Sequence, residues 1–168
     1  FELLFLDAGI VKDTESHTID LKKVRITRLQ QQELLKTPQL LKQIFGLLVL
    51  AHYQTSPNDL RIMLDDPALQ LWVTCYQDTV LAAALIVKEG PIDSAMQEAV
   101  WLGERRLRGQ LLPQALSAHS GFREATQFAY WRIMRITVHP DFQRRGLAGK
   151  LLRAIAQQAL LERVDIFG

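Results

Sequence analysis

The residues with the clearest chemical potential are two arginines and two glycines within the stretch HPDFQRRGLAGKLL (139–152). Arg144 and Arg145 precede Gly146 and Gly149, and an apolar run with helical spacing follows. The start of a helix has unpaired N–H groups and the positive end of a dipole, and it therefore binds phosphate readily. Gly146 lets the backbone approach an oxygen ligand without a Cβ in the way. The stretch predicts a phosphate-binding loop.

Two common phosphate motifs do not fit this loop. In G-x-x-x-x-G-K-[ST] the first glycine would fall at Arg144, and Leu151 stands where Ser or Thr is required. The dinucleotide motif G-x-G-x-x-G fails because Ala148 occupies its second glycine position. The pattern that fits is Q/R-x-x-G-x-G/A, written here as QRRGLA (143–148) after ITVHPDF.

This pattern resembles the loop of the GNAT superfamily of acetyl-CoA-dependent acyltransferases. In that family the loop and helix start hold the coenzyme A pyrophosphate, and the preceding strand runs beside the pantetheine arm. The resemblance implies acetyl-CoA as cofactor, with pyrophosphate along 143–149 and pantetheine along 136–138. The alternative is an arginine-rich turn that only caps a helix. The implied cofactor-binding residues are Ile136, Thr137, Val138, Gln143, Arg144, Arg145, Gly146, Leu147, Ala148 and Gly149.

A narrower resemblance covers about residues 23–168. Segments 44–65, 104–121 (ERRLRGQLLPQALSAHSG) and 135–152 resemble the acetyltransferase domain of bacterial tRNA(Met) cytidine acetyltransferases. Those enzymes acetylate N4 of the wobble cytidine of elongator tRNA(Met). Segment 104–121 is the specific part, because ordinary GNAT domains lack it. The resemblance implies tRNA as partner.

In that family an ATP-dependent domain precedes the acetyltransferase domain and an RNA-binding tail follows it. ATP would therefore be used by another domain and not by this chain. The chain starts at Phe1 and ends at VDIFG, which suggests a piece of a larger protein. Residues 1–22 are interpreted as a lead-in from a preceding domain, and 23–168 as the GNAT domain without its C-terminal strands. The isolated piece is expected to be inactive.

The elements around these motifs follow from apolar spacing and turn residues. Residues 146–163 are a predicted helix, and Thr37 is the predicted N-cap of a helix over 37–54. The order indicates an α/β protein with a mixed central sheet flanked by helices, the GNAT fold. The other predictions are helices over 57–64 and 93–106, strands over 23–29, 69–90 (a hairpin turning at Gln77-Asp78), 130–139 and 164–167, and a mixed polar loop over 107–130.

Charge is unevenly distributed along the chain. Residues 1–100 carry 9 Lys and Arg against 13 Asp and Glu, whereas residues 101–168 carry 11 against 5. A basic C-terminal part suits an anionic partner. Arg105, Arg106 and Arg108 are predicted to contact RNA phosphates, and the alternative is a solvated helix face.

Acetyl transfer needs a donor to the developing oxyanion and a route for the amine proton. The backbone N–H near Val138 is the predicted donor. His119, in SAHSG, and Glu89, at the end of the second hairpin strand, are the candidate catalytic residues. For His119 the alternative is a loop histidine bonded to backbone. No Cys/His cluster has metal spacing, so no metal is predicted.

Several classes are excluded and two remain open. No apolar run is long enough for a membrane span, and no signal-peptide pattern is present. Cys75 has no partner for an internal disulfide, which favours a reducing, cytoplasmic location. The open alternatives are a generic GNAT acetyltransferase of a small amine or protein, and a non-catalytic RNA-binding module. Acetyl-CoA binding would separate the module from both enzymes.

Overall fold

The computed structural model describes residues 20, 22–51 and 57–168. The predicted lead-in over 1–22 lies almost wholly outside the described residues, and so does the end of the predicted helix over 37–54. Among the described helices, none combines the length and apolar character needed to cross a membrane.

The described residues form a five-stranded sheet in the order β1-β2-β3-β4-β5. β1 pairs antiparallel with β2, and β4 pairs parallel with β5 after the crossover helix α6. This mixed sheet confirms the predicted α/β class. In chain order the elements are β1 (Arg25–Leu29), α1 (Gln31–Lys36), α2 (Pro38–Ala51), α3 (Pro57–Asp65), β2 (Leu69–Tyr76), β3 (Thr79–Glu89), α4 (Ser94–Trp101), α5 (Leu111–Gln114), β4 (Tyr130–Val138), α6 (Leu147–Leu161) and β5 (Ile166–Phe167).

The chain divides into two compact units, the first of residues 1–85 and 135–155 and the second of residues 86–134 and 156–168. In the first unit, β2 and the start of β3 are buried on both faces. Leu147, Leu151 and Ile155 of α6 are buried at the predicted i, i+4 spacing. Burial of these apolar faces is the main stabilising contribution to this unit.

The second unit has its own buried residues. Val100, Ala125, Tyr130 and Trp131 are almost completely shielded from solvent. The Tyr130 hydroxyl donates to the Ala125 carbonyl at 2.6 Å, which satisfies the polar tip of this buried ring. The aromatic residues on β4 therefore serve the core of this unit.

Three local predictions differ from the structure. The helix predicted over 93–106 ends at Trp101, because Gly103 adopts φ +75° and the chain turns there. The loop predicted over 107–130 contains α5, a π-helix at Ala115–His119 and a 3₁₀-helix at Arg123–Gln127. Hydrogen bonds to Glu89 and Gly90, which are distant in sequence, order the start of this stretch.

The third difference concerns Thr37 and the unpredicted helix α1. Thr37 stands directly before α2, and its carbonyl accepts from the Leu41 N–H at 3.1 Å. Its hydroxyl, however, donates to the Glu33 carbonyl at 3.0 Å. The side chain therefore bonds back to α1 instead of capping α2.

Candidate functional site

The loop between β4 and α6 is anchored by a buried aromatic residue. The His139 N–H donates to the Leu81 carbonyl at 2.8 Å, and a short 3₁₀-helix (Pro140–Phe142) follows. The Phe142 ring is buried in a cluster with Leu81 and Leu147. These contacts position Phe142, just before residues 143–149, and Leu147 within them. Residues 143–149 are hereafter called the cofactor loop.

Two residues of the cofactor loop have left-handed backbone conformations. Arg144 has φ 60° and Gly146 has φ 76°. Such values cost a residue with a side chain about 1–2 kcal/mol, and glycine almost nothing. A Cβ at Gly146 would meet no atom within 4 Å. Gly146 is therefore needed for its conformation, and the space in front of it is open.

The first turn of α6 presents backbone donors. The Lys150 N–H donates to the Gly146 carbonyl at 3.0 Å, which is the first hydrogen bond of the helix. Helix geometry leaves the preceding amides of Leu147, Ala148 and Gly149 without an acceptor in the helix. Together with the helix dipole they form an arrangement suited to a phosphate.

The charges around this turn have the opposite sign to those that usually stabilise a helix start. The first turn of α6 contains no acidic residue, and Arg144 and Arg145 are both exposed beside it. Cations at this end oppose the helix dipole unless an anion lies between them. The Arg145 guanidinium lies 5.2 Å from the Phe142 ring centre, which gives it a defined position.

A cleft of about 530 Å³ borders the cofactor loop. This volume is within the usual range of small-molecule sites. Eight of the ten residues predicted to bind the cofactor line the cleft, and Arg145 and Gly149 do not. Leu47 and Leu50 of α2 also line it, and sequence reasoning missed them. Sequence spacing does not single them out, because both belong to a continuous run of leucines and valine in an apolar helix.

The end of β4 exposes one backbone edge. Peptide groups alternate in direction along a strand, and the His139 N–H points to Leu81 of β3. The Ile133 N–H, an even number of residues away, donates instead to the Gly168 carbonyl on the β5 side, so the alternation of N–H directions is interrupted between Ile133 and His139. The parallel pairing with β5 involves Tyr130 and Trp131, at the other end of β4.

Two side chains hold this end of β4 in place. The Val138 carbonyl accepts from the Gln143 side-chain amide at 3.4 Å. The buried Thr137 hydroxyl donates to the Leu47 carbonyl of α2 at 3.3 Å.

His139 is buried next to the cleft. Its Nδ1 accepts from the Asp141 N–H at 3.3 Å, which assigns the ring proton to Nε2. Among the described residues, this Nε2 has no hydrogen-bond partner. Burial lowers the pKa of His139 below its usual 6.5, and the Asp141 carboxylate opposes that shift only in part. The ring is therefore a neutral cap of the 3₁₀-helix at pH 7.

The two predicted catalytic residues belong to the second unit. Glu89 is buried, and its carboxylate accepts from Arg132 Nε at 2.6 Å and from the Leu112 N–H at 2.7 Å. His119 is exposed as the last residue of the π-helix. The structure does not bring these two side chains into contact with each other, and their catalytic roles stay predictions.

Arg105, Arg106 and Arg108 are all exposed, in a segment that is ordered by glutamine side chains. The Gln114 side chain accepts from the Leu107 N–H and donates to the Leu107 carbonyl, each at 2.7 Å. Sequence reasoning missed this role, because an isolated glutamine in a polar stretch gives no signal of its partner. Within the described part of the chain, no group of three or more His, Cys, Asp or Glu could hold a metal ion.

A mixed five-stranded sheet, with an amide-rich, positively charged loop between a strand and its crossover helix, defines the class of GNAT acetyltransferases. An aminoglycoside acetyltransferase from an uncultured soil metagenomic sample, solved with sisomicin, is similar with a TM-score of 0.52 and 15% identity, over 88% of this chain and 76% of that one. Aminoglycoside N-acetyltransferase AAC(6')-Iy, solved with CoA, is similar with a TM-score of 0.51 and 12% identity, over 86% and 74%. These likenesses show the fold.

A family model described as GNAT acetyltransferase 2 matches residues 43–165, and the chain belongs to this family. A tRNA(Met) cytidine acetyltransferase TmcA from Nitrosococcus halophilus is 39% identical over 168 residues, all of this chain and 22% of that protein. The Vibrio cholerae protein of the same name is 45% identical over 122 residues, 73% of this chain and 17% of that protein. The chain thus spans about a fifth of the length of these relatives.

Proposed function

We propose that this chain is the acetyltransferase domain of a protein that transfers acetyl from acetyl-CoA to N4 of the wobble cytidine of elongator tRNA(Met). The observation that carries the proposal is the 39% identity to a protein of that name over all 168 residues. That span includes both the cofactor loop and the arginine-rich segment. The remaining domains of the full-length protein would use ATP and contribute RNA contacts.

The residues of the cleft fit acetyl-CoA. The amides of Leu147, Ala148 and Gly149 suit a pyrophosphate, and Arg144 and Arg145 add positive charge beside them. The open space at Gly146 admits phosphate oxygens close to the backbone. The free edge of β4 at 136–138 supplies backbone partners for the amides of the pantetheine arm. Bound acetyl-CoA would supply an activated acetyl thioester.

The protein has three tasks in such a transfer. It must hold the cytosine amine near the acetyl carbonyl, donate hydrogen bonds to that carbonyl oxygen as it gains charge, and allow the amine proton to leave. As the N–C bond forms, the thioester C–S bond would break, and coenzyme A would depart as its free thiol, with a proton in place of the acetyl group. The backbone N–H near Val138, which lines the cleft at the end of β4, is the proposed donor for the second task. The cytosine N4 amine is uncharged at neutral pH, so positioning can matter more than a strong base.

His119 is the proposed proton acceptor. It is exposed at the end of a π-helix, and π-helices are frequent at functional sites. A general base typically contributes about 10²–10⁴-fold to the rate. His119→Ala is therefore expected to lower kcat for tRNA acetylation while tRNA affinity is kept. An unchanged kcat would remove His119 from the chemistry without affecting the acetyl-CoA assignment.

Arg105, Arg106 and Arg108 are the proposed RNA contacts. They are exposed, and they lie within residues 101–168, where Lys and Arg outnumber Asp and Glu. Arginine suits RNA phosphates because its planar guanidinium can donate two parallel hydrogen bonds.

The proposal is tested with the full-length protein, unmodified elongator tRNA(Met), acetyl-CoA and ATP. Nucleosides are released from the tRNA, and N4-acetylcytidine is counted by mass spectrometry. A tRNA with uridine at the wobble position and a reaction without acetyl-CoA are the matched controls. We expect product only with the wobble cytidine and acetyl-CoA present. Absence of N4-acetylcytidine in this tRNA would contradict the substrate assignment. So would an equal amount of N4-acetylcytidine from the uridine tRNA, because another cytidine would then be the target.

A further inference from the structure

A buried ion pair joins three elements of the second unit. The Glu89 side chain is fully buried at the end of β3, and the Arg132 side chain on β4 is 22% exposed. Burying a carboxylate is costly unless it is paired and hydrogen-bonded. Glu89 meets this requirement with one oxygen on Arg132 and the other on the Leu112 N–H in α5. The second contact links the ion pair to the segment that carries the arginines.

The same segment has a second attachment one residue further along. The Gly90 N–H donates to the Gln110 side-chain oxygen at 2.6 Å. Only glycine fits at position 90, since a Cβ there would lie 2.1 Å from the Phe128 carbonyl oxygen. Residues 105–114 are hereafter called the arginine loop. Hydrogen bonds at Gln110 and Leu112 thus hold this loop to the end of β3.

The exposed arginines come just before the anchored positions in the chain. Arg108 is exposed and immediately precedes Gly109, which adopts φ +73° at a turn. Gln110 and Leu112, which receive the anchors, follow that turn directly. The anchors therefore restrain the backbone that presents the arginines, without touching the guanidinium groups.

We infer that Glu89, paired with Arg132, is a positioning residue for tRNA binding, and that with Gln110 it holds the arginine loop ready to receive RNA phosphates. This rests on the proposed role of the three arginines. A loop that is ordered before binding avoids the entropy cost of being ordered by the RNA. The benefit appears as tighter tRNA binding, while the number of phosphate contacts stays the same.

Two double variants of the full-length protein separate the anchor from the buried charge. Glu89→Leu/Arg132→Met replaces the ion pair with apolar side chains, a change that proteins often tolerate, and removes the acceptor for Leu112. Glu89→Gln/Arg132→Met also removes both charges, but its amide oxygen can still accept from the Leu112 N–H. The tRNA Kd is measured over a series of salt concentrations, together with the acetyl-CoA Kd.

Glu89→Leu/Arg132→Met, hereafter the Leu/Met variant, is expected to bind tRNA about tenfold more weakly, because the RNA must then order the loop. Its salt slope should equal that of the wild type, because the arginines still reach the same phosphates. Glu89→Gln/Arg132→Met, hereafter the Gln/Met variant, is expected to keep its tRNA Kd within about twofold of the wild type. Acetyl-CoA affinity should be the same in both variants. Wild-type tRNA affinity in a folded Leu/Met variant would overturn the inference.

Should the Leu/Met variant fail to fold, Gln110→Met removes the other anchor without disturbing a buried charge. It is expected to weaken tRNA binding with an unchanged salt slope, and wild-type affinity in it would overturn the inference.

Combination with the triple variant Arg105→Gln/Arg106→Gln/Arg108→Gln distinguishes this inference from the proposed function. Adding the Leu/Met change to the triple variant should produce no further loss of tRNA affinity, because the two sets of residues act together. If the triple variant alone binds tRNA like the wild type, the proposed RNA role of the arginines fails. If the triple variant is weakened and the anchor variants are not, only the positioning role fails.

Discussion

The cofactor loop and the arginine loop are built by different means. The cofactor loop is shaped by its own backbone, through two left-handed residues and the amides that begin α6. The arginine loop is held by side chains, through Glu89, Gln110 and Gln114. Backbone amides suit a pyrophosphate that every coenzyme A ester shares. Side-chain anchors suit a feature that only some members of a fold class need, because they can be gained or lost by substitution.

This difference predicts different sensitivities to mutation. In the cofactor loop an added side chain should do most damage, since it fills the space in front of the amides. In the arginine loop the loss of charge or of a distant anchor should do most damage. Variants that add a side chain in one loop or remove charge in the other distinguish these two sensitivities.

Gly146→Glu is expected to abolish stabilisation of the full-length protein by acetyl-CoA, which would be about 2.7 kcal/mol at ~100 times Kd. The new side chain places a carboxylate in the open space where phosphates would lie. The matched control is Gly103→Glu, because Gly103 has φ 75° and also leaves a Cβ free of contacts within 4 Å. Both variants carry the same backbone cost and charge. Thermal unfolding with and without acetyl-CoA should show a full shift in the control alone, and a full shift in Gly146→Glu would remove the loop from the cofactor site.

Neutralising Arg105, Arg106 and Arg108 to Gln is expected to weaken tRNA binding and to reduce the salt slope by roughly one for each arginine that contacts a phosphate. The control removes three exposed arginines elsewhere, with the same change in net charge, through Arg61→Gln/Arg153→Gln/Arg163→Gln. Binding isotherms at several salt concentrations give both slopes. Equal slopes in the two triple variants would show that the effect is one of overall charge.

The contrast also explains which features the sequence could predict. The backbone turn of the cofactor loop was predictable because its arginines and glycines lie close together in sequence, and the periodic apolar residues of α6 marked the helix that follows. The ordered conformation of the arginine loop could not be predicted, because it depends on hydrogen bonds between distant residues, such as Gly90 with Gln110 and Glu89 with Leu112. Glu89 stood out only as a carboxylate at a strand end, and its partner on β4 could not be read from spacing.

The predicted sheet and most helix positions followed from apolar periodicity and turn residues. α1 was missed because its six residues are too few to show a helical period. The lining of the cleft by α2 was missed for a related reason. Leu47 and Leu50 belong to a run of leucines and valine, and the faces of such a run are decided by tertiary packing.

Arg144→Asn tests the backbone strain in the cofactor loop. Asn adopts the left-handed conformation more readily than Arg, so the unfolding free energy should stay level or rise by up to about 1 kcal/mol. The loss of a cation beside the phosphates should weaken acetyl-CoA binding several-fold. Gln77→Asn is the control, because Gln77 has φ 52° in the exposed turn between β2 and β3. Denaturant unfolding and acetyl-CoA titration should show a change in affinity at residue 144 alone.

The smallest expected effect concerns pH. Because burial lowers the pKa of His139, the unfolded state binds more protons than the folded state once the pH falls below the usual value of 6.5. Stability should therefore fall with decreasing pH in this window. His139→Asn keeps an acceptor for the Asp141 N–H but does not titrate, so it should lose less stability between about pH 7 and pH 5 than the wild type. Equal losses in both proteins would show that other groups cause the pH dependence.

A crossed binding measurement tests the separation of the two loops most directly. Acetyl-CoA and tRNA are each titrated into the full-length wild type, the Gly146→Glu variant and the arginine triple variant. We predict that Gly146→Glu loses acetyl-CoA binding but keeps its tRNA Kd within about twofold, and that the arginine triple variant shows the reverse. A folded variant in which both affinities fall together would contradict the assignment of one ligand to each loop.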